Sequence, residues 1–325
     1  MPFKTPLCAR LNIDRPIMLA GMGGVSYAQL CAAVSAAGGY GTLGMAGQGP
    51  EQIRSQMRQV RALTDKPFGV DLLTALPDSL TKSVDIIIEE GASAFIAGLG
   101  VPADIIAVLH DAGLMVMSLC GKVEHAKRAE QAGVDLVIAQ GTEAGGHTGA
   151  VAGMALIPQI VDAVTIPVVA AGGIVDGRGL AAALALGAEG VWIGTRFIAS
   201  AEAHAGQVYK ERILAAADAD TRVTRCYSGK PMRVLDNPYV EEWETRPQDL
   251  KPFPMQAMLS GQAGVLGGIA GQLDDLDPAK SCLPAGQGAG AIGEVLTAAE
   301  IVERFMTEAA EVMARLGDLA HVRAA

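Results

Sequence analysis

The feature that most constrains this chain is a repeated unit: a helix-like run, one or two glycines, then a short apolar run. It is legible in "SAAGGYGTLGM", "IEEGASAFIAGL", "HDAGLMVMSL", "EQAGVDLVIAQ" and "ALGAEGVWIGT". Gly91, Gly113 and Gly133 recur at about twenty residues, the length of one helix–strand unit. Glycine after a helix suits a left-handed cap. The apolar run that follows suits a strand buried on both faces.

The runs are "PIMLA" (16–20), "YGTLGM" (40–45), "FGVDLL" (68–73), "AFIAGL" (94–99), "LMVMSL" (114–119), "LVIAQ" (136–140), "PVVAAG" (167–172) and "GVWIGT" (190–195). Helical segments such as 51–63 and 124–132 lie between them. Eight alternating units predict an α/β fold, a (β/α)8 TIM barrel. A doubly wound open sheet shares the alternation, and the count of eight favours closure.

Half of the 325 residues are apolar and 18% are charged, which suits a large core. The formal charge is −10, and no Lys/Arg cluster marks a nucleic-acid partner. The five cysteines are scattered without a C-x-x-C pair, which argues against a disulfide framework or structural zinc and fits a reducing compartment. "MPFKTPLCAR" lacks the apolar core of a signal peptide, so a cytoplasmic protein is expected. Between Arg15 and Glu51 no charged residue occurs, long enough for a membrane span. Nine glycines interrupt that stretch, which reads instead as strand, loop, buried helix and strand, and no membrane partner is expected.

The barrel is assigned to residues 1–211. Residues 222–260 then collect Tyr227, Tyr239, Trp243 and Phe253 and five of the sixteen prolines. That shift predicts an inserted, mainly helical lid region over 212–275, either a packing subdomain or a cover over the barrel mouth. Residues 276–325 are read as a site loop followed by a C-terminal helix. Apolar residues at 295, 298, 302, 305, 309, 312 and 316 form one helix face to pack on the barrel.

In a closed parallel barrel a ligand sits at the C-terminal ends of the strands. The residues there are Gly21 to Gly24, Asp71, Gly98, Cys120, Gln140 with the 141–149 loop, Gly172 and Gly173, and Gly194 and Thr195. Gly172 and Gly173 follow the seventh run, and Gly194 and Thr195 the eighth, where barrels often bind phosphate against a helix N-terminus. Thr195 adds a hydroxyl donor. "GAGAIG" (288–293) matches a dinucleotide fingerprint literally, but a loop precedes it and no strand does, so that reading is rejected. Of the five histidines only His147, in "QGTEAGGHTG", lies in a strand-end glycine loop. A neutral imidazole there can accept a proton from a substrate carbon or hydrogen-bond a developing anion. No second ligand lies at metal spacing, so no metal is expected. Cys120 reads as a small buried residue. A phosphate cradle with so few charged groups leaves the reactivity to a cofactor.

"QGTEAGGHTG", "PVVAAGGIVDGRGLAAALALGAEGVWIGTRF" and "PAGQGAGAIGEV" together resemble the FMN-dependent nitronate monooxygenases, formerly called 2-nitropropane dioxygenases. The related FMN-dependent enoyl-acyl-carrier-protein reductases share these features, and "PIMLAGMGG" and "DKPFGVDLL" fit as well. The resemblance implies an FMN-binding barrel with Ala20, Gly21 and Met22 passing the flavin ring. It implies Gln140 at the ribityl or ring edge, with Gly145 also at the cofactor. Gly172, Gly173, Gly194 and Thr195 would hold the phosphate, His147 would face the substrate, and Gln287 would lie near the mouth. Family members often carry Asn where this chain has Asp71, which the resemblance places among the cofactor-binding residues; an ionised Asp can only accept hydrogen bonds, so either Asp71 accepts from a flavin or ribityl donor or its local role differs. The implied activity is oxidation of alkyl nitronates by O2 to a carbonyl compound and nitrite. The alternative is an NAD(P)H-dependent enoyl-thioester reductase or an NAD(P)H:quinone reductase. Either acts on a small-molecule substrate, and a homo-oligomer is left open.

Overall fold

The strands, in chain order, are β1 (Ile17–Leu19), β2 (Gly41–Gly44), β3 (Phe68–Leu73), β4 (Ala94–Gly98), β5 (Met115–Cys120), β6 (Leu136–Gln140), β7 (Gly146–His147), β8 (Val168–Ala171), β9 (Gly190–Ile193), β10 (Thr221–Thr224) and β11 (Met232–Leu235). They belong to a computed structural model that describes residues 3–73, 77–98, 100 and 103–321. Eight of them form one parallel sheet in the order β1-β9-β8-β6-β5-β4-β3-β2. Its two edge strands meet: Met18 bridges Tyr40, and Leu19 N–H donates to the Tyr40 carbonyl at 2.8 Å. The sheet is therefore a closed (β/α)8 barrel, with an edge-free core. Each of the eight apolar runs contains one of its strands, apart from small shifts at the ends; Leu99, at the end of the fourth run, lies outside the described residues.

Alternation along the strands sorts side chains to two buried faces. Leu19, Leu43, Val70, Phe95, Val116, Val137, Ala170 and Val191 pack outward under the helices. Met18, Tyr40, Ile96, Met117, Ile138, Val169 and Trp192 fill the barrel interior. The helix Pro6–Leu11 closes the end where the strands begin, since Leu7, Cys8 and Leu11 join that inner cluster. Gly190 is needed there, because a β-carbon on it would lie 2.5 Å from Leu7 Cδ2 and 2.7 Å from the Pro16 carbonyl oxygen. Gly91, Gly113 and Gly133 take φ of 72°, 78° and 95°, the left-handed values their position after a helix predicts. The uncharged stretch after Arg15 is β1, the helix Ala28–Ala36 and β2, as its glycines suggest. No helix among the described residues is long and apolar enough to cross a membrane.

The region after the barrel strands differs from expectation in one respect. It carries the helices Pro238–Glu244 and Met255–Gln262, but also a hairpin, β10–β11, whose inner strand pairs with β7. Periodicity misses the hairpin because Arg222, Arg225 and Arg233 break up its short apolar runs. Cys226, Tyr227, Met232, Val234, Val240 and Val265 form a core of their own, completed by Cys282 from the following segment. The Tyr227 and Tyr239 rings stack at 5.4 Å.

The C-terminal helix, Ala298–His321, buries Ala298, Ile301, Val302, Phe305, Met306 and Ala309. It lies against the helix Gly177–Ala185. The expected apolar face was too long at both ends. Val295 precedes the helix and is 42% exposed, and Leu316, 50% exposed, lies where the helix outruns the layer it packs on.

Candidate active site

At the C-terminal ends of the barrel strands the inward-facing residues become small. Ala20, Gly44, Gly98 and Ala171 follow the Met18, Tyr40, Ile96 and Val169 of the interior, with Leu119 as a large apolar exception and Asp71 and Gln140 as the polar ones. Above them opens a cavity of about 1230 Å³. Of the residues singled out in the sequence, Ala20, Gly21, Met22, Asp71, Gln140, Gly145, His147, Gly172, Gly173, Gly194 and Thr195 all line it. Gln287 does not: its side chain is exposed, and its neighbours Pro284 and Gly288 reach the wall instead. The fixed point there is its backbone, whose N–H donates to the Glu143 carbonyl at 2.9 Å.

His147 is half-buried on β7, paired across to Met232 of β11, so the insertion holds the glycine loop in place. Its Nε2 lies 2.9 Å from Ser228 Oγ. Ser228 Oγ also lies 3.2 Å from both the N–H and the carbonyl of Lys230. When the single hydroxyl proton goes to the Lys230 carbonyl, Nε2–H donates to Ser228 and Nδ1 keeps a free lone pair. Burial, and then the nearby Lys230 charge, bring the imidazole down to about 4, so it is neutral at ordinary pH. Gln140, expected at a ring edge, spends its amide N–H on the His147 carbonyl at 2.6 Å and so braces the same loop.

Gly172 and Gly173 have φ of 102° and 70°, a turn that presents successive N–H groups and that side chains with a β-carbon resist. Thr195 Oγ1 accepts from Gly286 N–H at 2.9 Å, which leaves its own proton free to donate. Of the two helices that follow these loops, Thr195–Ile198 begins at the second with no side-chain cap, as expected, whereas the N-terminus of the helix after the first is already occupied. Asp176 caps the helix Gly177–Ala185 by accepting from Arg178 and Gly179 N–H, and Gly177 N–H goes to Glu308. An anion at these loops is thus met by glycine N–H groups and a hydroxyl. At the strand ends Gly21 presses on Asp71: a β-carbon on Gly21 would lie 2.2 Å from Asp71 Cβ. A cradle of this kind and a floor of small residues fit a flat ring with a terminal phosphate.

Several wall residues escaped the sequence reading. Lys122 follows β5 by two positions, beyond the strand-end residue Cys120. Lys230, Phe253, Met258 and Ile269 come from the insertion, and Ser228 reaches His147 across 81 positions with no local signal. Cys120 is 1% exposed, and burial pushes its thiol up to about 11, which leaves it an inert wall group.

A parallel barrel with one neutral histidine and glycine loops at its strand ends has its candidate site where TIM-barrel enzymes keep theirs, and the relatives make the class an oxidoreductase. The chain belongs to the nitronate monooxygenase family, whose model matches residues 4–83 and 78–308. It is 34% identical over 306 residues to a probable nitronate monooxygenase of Staphylococcus saprophyticus, covering 80% of this chain and 86% of that one. It is 41% identical over 241 residues to a (3aS,4S,5R,7aS)-5-hydroxy-7a-methyl-1-oxo-octahydro-1H-indene-4-carboxyl-CoA dehydrogenase of Rhodococcus jostii, covering 74% and 68%. FabK from Thermotoga maritima superposes with a TM-score of 0.89 at 37% identity over 98% of this chain and 99% of that one. Proteins of this group are flavoenzymes, generally dependent on FMN.

Proposed function

We propose that the protein is an FMN-dependent nitronate monooxygenase, oxidising alkyl nitronates with O2 to a carbonyl compound and nitrite. The observation that carries this reading is the neutral His147 on the wall of the same cavity as the glycine cradle. Gly172, Gly173, Gly194 and Thr195 would hold the FMN phosphate, and Ala20, Gly21 and Met22 would lie along the ring. FMN, when bound, supplies the electron acceptor and the reactivity toward O2. His147 presents a neutral imidazole that can take the α-proton of a neutral nitroalkane or donate a hydrogen bond to nitro oxygens. Ser228 orients the ring: accepting from Nε2–H it leaves Nδ1 as the base, and donating to Nε2 it leaves Nδ1–H as the donor.

A second reading, an NAD(P)H-dependent enoyl-thioester reductase, draws on the size of the cavity. About 1230 Å³ leaves much room beside a cofactor, and Lys122, His125 and Arg128 on one side suit a phosphorylated carrier. The likeness to a carboxyl-CoA dehydrogenase points the same way. Anaerobic mixing of the purified holoprotein with a nitronate, a nitroalkane, NADH and NADPH separates the two. Flavin bleaching by nitronate supports the monooxygenase. Bleaching by a nicotinamide, reversed by an enoyl thioester, with nitronate inert, overturns it.

A further inference from the structure

Asp71 stands out in the cavity floor. The layer of inward residues at the strand ends is otherwise small or uncharged, and Asp71 is its one ionisable side chain. It is only 8% exposed. Its carboxyl lies against Gly21, and its Oδ1 lies 3.4 Å from where a β-carbon on Gly98 would sit. The elements packed around it offer no counter-charge. The 20–24 loop reads "AGMGG", β2 and Met45 read "GTLGM", and β4 reads "AFIAG". On its own strand, "FGVDLL", it is the one charged residue. Tyr40, just before β2, and Cys120, at the end of β5, are titratable groups on the barrel strands, and His147 on the cavity wall is held neutral by burial. Tyr40 spends its phenol on Ser93 at 2.8 Å, and the Cys120 thiol stays protonated. Lys122 and Lys230 belong to the cavity wall.

A carboxylate this little exposed would lose most of its hydration without gaining an ion pair, which favours the protonated form. Burial is the single influence on Asp71, and it holds the carboxyl well above the usual range. A neutral carboxylic acid has one O–H donor that a carboxylate lacks.

We propose that Asp71 is held as the neutral acid and donates its O–H to a carbonyl oxygen of the flavin ring, so that FMN binding is coupled to one proton on this side chain. This rests on the FMN reading above. The flavin ring carries carbonyl acceptors, and an ionised Asp71 would oppose one of them with negative charge. The proton therefore favours the bound state, and binding in turn holds the proton.

The test is the FMN dissociation constant of the holoprotein as a function of pH, read from the fluorescence of released flavin, for the parent and for Asp71→Asn. The amide keeps a donor in the same place and cannot titrate. Once pH exceeds the value at which Asp71 ionises in the flavin-free protein, the parent constant should rise about tenfold per pH unit relative to that of Asp71→Asn. The infrared spectrum of the parent should contain a protonated-carboxyl stretch that moves when FMN is released and is missing in Asp71→Asn. Equal pH profiles in the two proteins, with FMN bound by both, would overturn the coupling and leave the cofactor reading standing. A parent that binds no FMN at any pH would overturn both. Asp71→Ala, which keeps the space but removes the donor, should bind more weakly than Asp71→Asn at every pH; equal affinity would show that no hydrogen bond is made.

Discussion

At the scale of single residues, His147 and Gly173 carry the sharpest expectations. His147→Ala should retain FMN, because the proposed phosphate contacts come from other loops, and should lose turnover by about 10²-fold or more if the imidazole is the base. As base it must be neutral, and burial keeps it so down to about pH 4. Turnover of neutral nitroalkane should therefore stay level through neutral pH and fall only as pH approaches 4; a limb near the ordinary 6.5 would contradict the enclosed site. The unfolded chain accepts that proton at higher pH than the folded one. The stability contributed by a neutral His147 is thus full above 6.5 and is lost as pH falls toward about 4. His147→Ala should show a flatter decline on denaturant titration across that window. Gly173 has φ of 70°, a conformation that Asn and Asp tolerate better than most side chains. Gly173→Asp should fold yet lose flavin, since its charge would oppose phosphate, while Gly173→Asn should lose less. Full flavin occupancy in Gly173→Asp, alongside a parental circular dichroism spectrum, would remove this loop from the phosphate site. The glycines and His147 were legible because strand ends in a barrel are a defined place. Ser228 was not, because nothing local ties it to a histidine 81 positions earlier.

At the scale of elements, the terminal helix is locked to the barrel through Gly177. A β-carbon on that residue would lie 2.4 Å from Ala309 N and 2.6 Å from the Phe305 carbonyl oxygen. Gly177→Ala should cost roughly 1–3 kcal/mol by overpacking, seen as a lower denaturant midpoint. Flavin occupancy should be unchanged at temperatures where the variant is folded, because Gly177 does not line the cavity. An unshifted midpoint would mean that the two helices separate easily. The helix itself was legible from its apolar face, but its ends were not: Val295 and Leu316 match the period and find no layer to cover them. The hairpin β10–β11 was missed for the converse reason. Its register is set by pairing with β7, a two-residue strand whose sequence, Gly146–His147, has no strand character.

At the scale of the whole molecule, the flavin reading makes a thermodynamic statement. A ligand that binds the folded chain alone stabilises it by about 2.7 kcal/mol at a hundredfold excess over its dissociation constant. FMN should accordingly co-purify, be released by heat as FMN and not FAD, and raise the unfolding midpoint of stripped protein in a concentration-dependent way. A midpoint insensitive to FMN would count against the cavity as its site. Lys230, Phe253 and Met258 come to the wall from the insertion, and Ala20, Gly172 and Thr195 from the barrel, so the cavity has walls of both origins.

The sequence by itself determined the barrel. An apolar run after each helical segment, repeated eight times and five times announced by a glycine, is a set of local preferences, and a parallel sheet covered on both faces follows from it. It also determined where to look, because closure puts the strand ends at one mouth. Tertiary structure alone decided what those residues are chemically. Enclosure, not neighbouring sequence, makes His147 neutral, gives Gln140 the His147 carbonyl to brace, and strips Asp71 of water without giving it a cation. Protonation and hydrogen-bond partnership depend on what surrounds a group in three dimensions, and those surroundings come from strands and loops far apart in the chain.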